Sequence, residues 1–180
     1  GVMTLNQLLL ADPHEAERGR IPAVKIDDAP RFALRALMID PARNFLPVKD
    51  VKRFIEVMAK YKYNALQLHL TDDQGWRIAL KSYPQLASTQ SYSAADIREI
   101  VAYATEHYID VIPELDIPGH TAAFLSVYPE LGCTHLQNAP IKVGETVNRM
   151  LCAANDTVYT VYNQILREVA ALFPSQYIHL

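Results

Sequence analysis

Two stretches of this 180-residue chain end in side chains that can hold and pass protons. In the first, the apolar run Leu66-Gln67-Leu68-His69-Leu70-Thr71 delivers the adjacent carboxylates Asp72 and Asp73, followed by Gln74-Gly75-Trp76-Arg77. In the second, Val111-Ile112-Pro113-Glu114-Leu115 runs into Asp116 and then Ile117-Pro118-Gly119-His120. A core strand has no structural need for acids at its carboxyl end, so both endings read as parts of a site. A carboxylate beside an imidazole can orient it and tune a proton transfer. Arg35 adds a charge inside the first strand, where it requires a carboxylate partner such as Asp40 or Asp72. Acids from two strands, an imidazole and an inward arginine make a polar pocket suited to a neutral, hydroxyl-rich ligand.

Taken singly, each residue has a plainer use. Asp72-Asp73 could cap a turn, since Asp commonly bonds its own loop backbone. His120, after Pro118-Gly119, could be a structural loop imidazole, and Trp76 is better placed to pack under a hairpin than to stack on a ligand. Asp72, Asp73 and His120 could also be read as metal ligands of an unrelated barrel hydrolase. That reading is the weaker one, and no Cys/His spacing resembles a zinc site.

Strands alternating with helices are needed to bring these residues together, and the pattern supplies them. Residues 2–10 form a short amphipathic helix, and the proline-punctuated stretch from Asp12 to Pro30 reads as a connector and domain boundary. The first strand is expected from Leu34 to Ile39, ending in Asp40. Pro47 opens a helix whose Val51, Phe54, Ile55 and Met58 recur at i, i+3, i+4, i+7. A second strand covers Ala65 to Leu70, and residues 74–92 make an excursion with a small hairpin around Arg77–Leu80. Ser93 caps the next helix, with Asp96 as the return partner and Ile97, Ile100, Val101 and Ala104 on its apolar stripe. The third strand is Val111–Leu115, a short helix covers Thr121–Val127, and a long loop runs from Pro129 to Asn155. Asp156 is expected to cap a helix that buries Val158, Val161, Ile165, Val169 and Leu172. Phe173-Pro174 ends it, and Tyr177–Leu180 begins a fourth strand.

Near-continuous apolar strands alternating with helices imply a parallel sheet covered by helices. A doubly wound sheet and a (β/α)8 barrel both fit, and in both the site lies beyond the carboxyl ends of the strands. No G-x-G-x-x-G or G-x-x-x-x-G-K follows a strand, which argues against nucleotide binding. Arg43, Asp72, Asp73, Asp116 and His120 all follow strands and face one end, as in a barrel.

Composition is that of a soluble globular domain, with 50% hydrophobic and 21% charged residues. Net charge is −3 with Lys and Arg scattered, so no basic patch for nucleic acid is present. No run reaches the roughly 18 apolar residues of a membrane span. Gly1-Val2-Met3-Thr4 opens no signal-peptide pattern. Cys133 and Cys152 are open to two readings, separate small core residues or a disulfide closing the loop between them.

At this point the chain resembles the catalytic domain of glycoside hydrolase family 20, the β-N-acetylhexosaminidases. The resemblance rests on Pro30-Arg31-Phe32…Arg35-Ala36-Leu37-Met38-Ile39-Asp40, Asn64…Leu68-His69-Leu70-Thr71-Asp72-Asp73-Gln74-Gly75-Trp76-Arg77, Pro113-Glu114-Leu115-Asp116-Ile117-Pro118-Gly119-His120 and Leu151-Cys152-Ala153-Ala154-Asn155. It implies an α/β fold of the (β/α)8 TIM-barrel type, with residues 25–180 supplying the first four βα units. Residues 1–24 would be the tail and linker of a preceding small α/β domain. It further implies exo-hydrolysis of terminal β-linked GlcNAc or GalNAc with retention, by substrate-assisted catalysis in which the acetamido carbonyl attacks the anomeric carbon.

By position, the resemblance makes Arg35 the ligand of sugar hydroxyls and Asp72 and His120 a relay behind the acid/base Glu, with His120 between the two carboxylates. Asp73, Glu114 and Asp116 would support the pocket. No cofactor or metal is implied, and the partners are N-acetylhexosamine-terminated glycans, with neither nucleic acid nor membrane. The implied compartment is periplasmic, secreted or lysosome-like. Ala36 stands where the family usually has Gly, and Ala42-Arg43-Asn44-Phe45 replaces its usual Ser-Arg-His-Phe. The family's Gly-Gly-Asp-Glu motif, which carries the polarising Asp and the acid/base Glu, is absent from these residues. Four strands of an eight-stranded barrel leave raw edges. A complementary chain or second copy is therefore expected to cover them, and the 180-residue chain alone is expected to be inactive. The competing expectation is a non-catalytic sugar-binding or assembly fragment of such a barrel.

Overall fold

The structure is a computed structural model that describes residues 1–11, 14, 21, 23–133, 143 and 150–180. Most of the expected connector after Asp12 and most of the expected loop before Asn155 lie outside the described residues. Helix α1 covers Val2–Ala11 and lies on the second helix, where Gln7 Nε2 donates to Lys60 O at 3.0 Å. Strand β1 is Ala36–Ile39, helix α2 Val48–Lys60 and strand β2 Ala65–His69. Two short strands follow, β3 at Thr71–Asp72 and β4 at Gly75–Trp76, then helix α3 at Ala94–Glu106 and strand β5 at Asp110–Glu114. Helix α4 is Ala122–Leu125 and helix α5 Asp156–Ala170. Among the described residues, no helix is long and apolar enough to cross a membrane.

β1, β2 and β5 lie side by side in chain order, all parallel. The carboxyl-terminal residues continue the order. His179 bridges Glu114 in parallel, donating to Pro113 O at 2.9 Å and accepting from Leu115 N at 3.0 Å. Strand order that advances one neighbour at a time, without reversing, is barrel topology; a doubly wound sheet switches direction at its midpoint. The chain is thus a partial (β/α) barrel.

Register decides which face each residue takes. Leu37, Leu66 and Val111 form one rung and Ile39, Leu68 and Pro113 another. Leu66 and Leu68 are fully buried in a core shared with Val51 and Ile55 of α2 and Ile97 and Ile100 of α3. Fully burying each such side chain is worth about 1.5–3 kcal/mol. The alternate rung is Met38, Gln67 and Ile112, and here the covering is incomplete, with Met38 51% exposed.

Four local differences from the expected elements have physical causes. The hairpin is β3/β4, pairing Thr71 with Trp76 and Asp72 with Gly75, and not Arg77–Leu80. The alternation of Trp76, Ile78 and Leu80 reflects burial of alternate residues beneath the helices, with Ile78 bridging Tyr92. Asn155, not Asp156, caps α5, its side chain accepting Thr157 N at 3.0 Å while Asp156 occupies the first turn. That helix buries Tyr162 in place of Val161 and Leu172, which are only half-buried. β1 begins at Ala36, so Arg35 lies before it. Ser93 and Asp96 form the expected reciprocal cap of α3.

Cys133 and Cys152 are free thiols in the structure. They hydrogen-bond each other, which raises the Cys133 pKa and lowers that of Cys152.

Candidate active site

The carboxyl ends of β1, β2 and β5 sit level, and their last residues meet. Just past β1, Asp40 turns the chain, accepting Arg43 N on Oδ1 at 3.0 Å and Arg43 Nη1 on Oδ2 at 2.6 Å. Burial alone would raise the Asp40 pKa, but these bonds to Arg43 outweigh it and hold the carboxyl below its usual range. The second terminal nitrogen of Arg43 reaches Asp72 Oδ2 at 2.6 Å, and 41% of the Arg43 side chain remains exposed at the mouth.

Asp72 is the hub. Its side chain is 1% exposed; Oδ2 also meets His69 Nε2 at 2.7 Å, and Oδ1 accepts Asp73 N at 2.6 Å. Asp73 is buried too, and its Oδ1 accepts Ala122 N at 2.9 Å, tying the β3/β4 turn to the start of α4. Across the sheet, His69 Nδ1 lies 3.0 Å from Glu114 Oε1, out of line for a good hydrogen bond. Glu114 Oε2 accepts Gln67 Nε2 at 2.6 Å. Burial alone would lower the His69 pKa, but the bond to Asp72 and the adjacent Glu114 carboxylate prevail, and the ring's pKa is raised.

A second acid–imidazole pair stands nearer solvent. His120 has a backbone φ of 51°, in the left-handed region, and its Nδ1 meets Asp116 Oδ2 at 2.6 Å. That bond raises the His120 pKa, the charges of Asp72 and Asp73 adding to it. Asp116 N in turn donates to Thr71 Oγ1 at 3.0 Å, joining this loop to β3.

Two of the expected placements need correction. Arg35 is not in the cluster. Its Nε donates to Lys62 O at 2.7 Å and its Nη1 to Phe32 O and Ala33 O at 2.7 and 3.2 Å. It sits at the amino end of β1, about 16 Å of extended chain from Asp40. There it works with Asn64, whose Oδ1 accepts Arg35 N at 2.8 Å, to tie loop carbonyls below the sheet. Arg43 is the arginine at the site. The imidazole bonded to Asp72 is likewise His69 and not His120, whose carboxylate partner is Asp116. Trp76 is packed as expected, only 1% exposed.

The trios His69, Glu114, Asp116 and Asp72, Asp116, His120 each bring ligand-type atoms within 4.8 Å of one another. Their closest atoms are already matched, Asp72 Oδ2 by Arg43 and His69 and His120 Nδ1 by Asp116. Hydrogen-bonded charge pairing accounts for the geometry.

The turn that presents Arg43 is held from below by Arg77. Its guanidinium donates to Pro41 O at 2.9 Å, Ala42 O at 2.9 Å and Gln90 O at 3.0 Å. A Cβ at Gly75 would stand 2.5 Å from Arg77 Cζ. So pinned a guanidinium yields reluctantly, and Gly75→Ala is expected to cost about 1–3 kcal/mol in urea denaturation of the full-length protein. An unchanged midpoint would count against the Arg77 clamp.

Residues 32–180 match the family model described as glycosyl hydrolase family 20, catalytic domain. The chain is 37% identical over 197 residues to a β-hexosaminidase of Porphyromonas gingivalis, covering 100% of this chain and 25% of that one. A solved β-N-acetylhexosaminidase superposes with a TM-score of 0.88 at 37% identity, covering 100% of this chain and 41% of the other. A mutant Streptomyces plicatus β-hexosaminidase solved with its product GlcNAc gives 0.78 at 42% identity, over 85% of this chain and 33% of that chain. The chain therefore spans between a quarter and two-fifths of the length of these relatives. With its parallel strands in barrel order and its acids at their carboxyl ends, the chain belongs to glycosyl hydrolase family 20 and carries part of that family's TIM-barrel catalytic domain.

Proposed function

We propose that the full-length protein is an exo-acting β-N-acetylhexosaminidase that removes terminal β-linked GlcNAc or GalNAc with retention. The observation that carries the reading is the layered charge at the strand ends. Buried Asp72 and Asp73 lie behind Arg43 and His120, which reach the mouth. A half-exposed guanidinium fixed by two carboxylates presents N–H donors to sugar hydroxyls without swinging. Asp116 and His120 supply an oriented carboxylate–imidazole pair, with Asp72 behind it, able to tune a neighbouring carboxylic acid. Substrate-assisted chemistry then needs only one protein acid/base and a group that orients the acetamido nitrogen. The relative solved with GlcNAc supports this substrate class.

In the family scheme the orienting Asp and the acid/base Glu belong to a Gly-Gly-Asp-Glu segment absent from these 180 residues. We therefore assign no turnover to residues 1–180 alone. Strands completing the barrel, from the same polypeptide or a complementary one, would cover the rung at Met38, Gln67 and Ile112 and supply those acids. Release of a chromogenic aglycone from a β-N-acetylglucosaminide, measured in parallel on the full-length protein and on residues 1–180, tests both statements. Turnover only by the former is expected. Failure of the full-length protein to release the aglycone, with saturable GlcNAc binding retained, would favour a sugar-binding role in its place.

A further inference from the structure

We infer that His69 is a positioning residue for this site, a buried imidazolium that clamps Asp72 to Glu114 across the ends of β2 and β5. The inference rests on the hexosaminidase reading for its kinetic consequence, though not for its chemistry. Both ring nitrogens lie near carboxylate oxygens, Nε2 hydrogen-bonded to Asp72 at 2.7 Å and Nδ1 3.0 Å from Glu114 Oε1 but out of line for a full hydrogen bond. Either neutral tautomer would leave one bare nitrogen lone pair against a carboxylate oxygen in a site 4% exposed. Only the doubly protonated ring turns a proton, and a positive charge, toward each acid. The surroundings fit that state. Asp40 adds a third negative charge and an oxygen of Asp116 lies within 4.8 Å, against Arg43, whose Nη2 shares Asp72 Oδ2 with the ring, and His179, whose Nδ1 sits 3.5 Å from the same Glu114 oxygen. The resulting chain alternates in sign, from Arg43 through Asp72 and His69 to Glu114, and leaves Asp72 no freedom to rotate. No atom of His69 reaches the mouth, so its effect on substrate passes entirely through Asp72 and, by way of Asp72, the Asp116–His120 pair.

The pH consequence follows from the sign of the shift. A pKa raised on folding contributes stability that is complete below the unfolded imidazole value near 6.5 and disappears as pH rises through the folded value. The clamp should therefore open on the alkaline side, and kcat should fall there.

Two measurements on the full-length protein test this. In the first, 15N-histidine labelling with H69Q as the assignment control reads the ring directly. Two protonated nitrogens at pH 7 are expected, and a singly protonated ring overturns the inference. In the second, H69Q, which can donate to Asp72 but carries no charge, is expected to lower kcat about ten- to a hundredfold with KM changed less than about threefold, and to flatten the alkaline limb. His69→Asn is the alternative if H69Q does not fold. A variant with the parent's kcat and pH profile overturns the positioning role. A parent protein without glycosidase activity overturns the functional reading instead, and the labelled ring still decides the state of His69.

Discussion

Asp72→Asn should cost the full-length protein at least about a thousandfold in kcat/KM, roughly 4 kcal/mol of transition-state stabilisation. The argument is one of donors and acceptors. Arg43 Nη2 and His69 Nε2 both donate to Oδ2, and Asp73 N donates to Oδ1. All three neighbours donate, so an asparagine must aim its own NH2 at one of them whichever way the amide is turned. The substitution also leaves the His69 charge buried without its nearest counter-charge, a defect worth about 3–5 kcal/mol of stability. Asp73 offers the control. Its only bonded oxygen among the described contacts accepts Ala122 N, which an asparagine oxygen can also do. Asp73→Asn is expected to cost about 1 kcal/mol and to keep activity within about tenfold of the parent. Glycoside hydrolysis and urea unfolding of both variants read the contrast. Equal losses from the two adjacent residues would show that local acidity, and not this hydrogen-bond arrangement, is what the site requires.

Much of this arrangement is legible in the sequence, and the rest is hidden for identifiable reasons. Acids closing apolar strands at Asp72 and Asp116 mark the carboxyl ends, and the spacing of Val51, Ile55 and Met58 marks the covering helix. Arg35 misleads because sequence shows that a strand is near but not where its first hydrogen bond forms. With β1 at Ala36–Ile39, Arg35 stands at the amino end of the strand, five residues before Asp40 and the site at the carboxyl end. His69 is harder still, since it sits inside an apolar run and reads as one more core residue. Its signal is periodicity of two. Gln67 and His69 share one face of β2 and Ile112 and Glu114 one face of β5, so polar residues at alternate positions point into the barrel together. The pairing of Asp116 with His120 could not be read at all, because it depends on the left-handed turn at His120 that brings the ring back over residue 116.

Trp76→Ala is the second large effect, and it separates packing from ligand stacking. The indole Nε1 donates to Ile78 O at 2.8 Å, and the ring lies 5.7 Å from Phe124. Phe124 in turn meets Tyr128 at 5.6 Å and Tyr162 at 5.4 Å, so the cluster binds the β3/β4 hairpin to α4 and α5. Removing a buried indole costs about 3–5 kcal/mol, since the cavity cannot fully collapse and Ile78 O loses its donor. That is a large share of the 5–15 kcal/mol that ordinarily holds a domain together, and the melting temperature should fall by on the order of 10 °C. Trp76→Phe keeps most of the ring and loses the N–H, so about 1–2 kcal/mol is expected. Because the ring is 1% exposed, KM for a β-N-acetylglucosaminide should stay within about twofold of the parent in Trp76→Phe while stability drops. A KM raised tenfold at unchanged melting temperature would mean that the indole touches the sugar. The hairpin that carries Asp72 and Asp73 would then be a moving part of the site rather than its fixed wall.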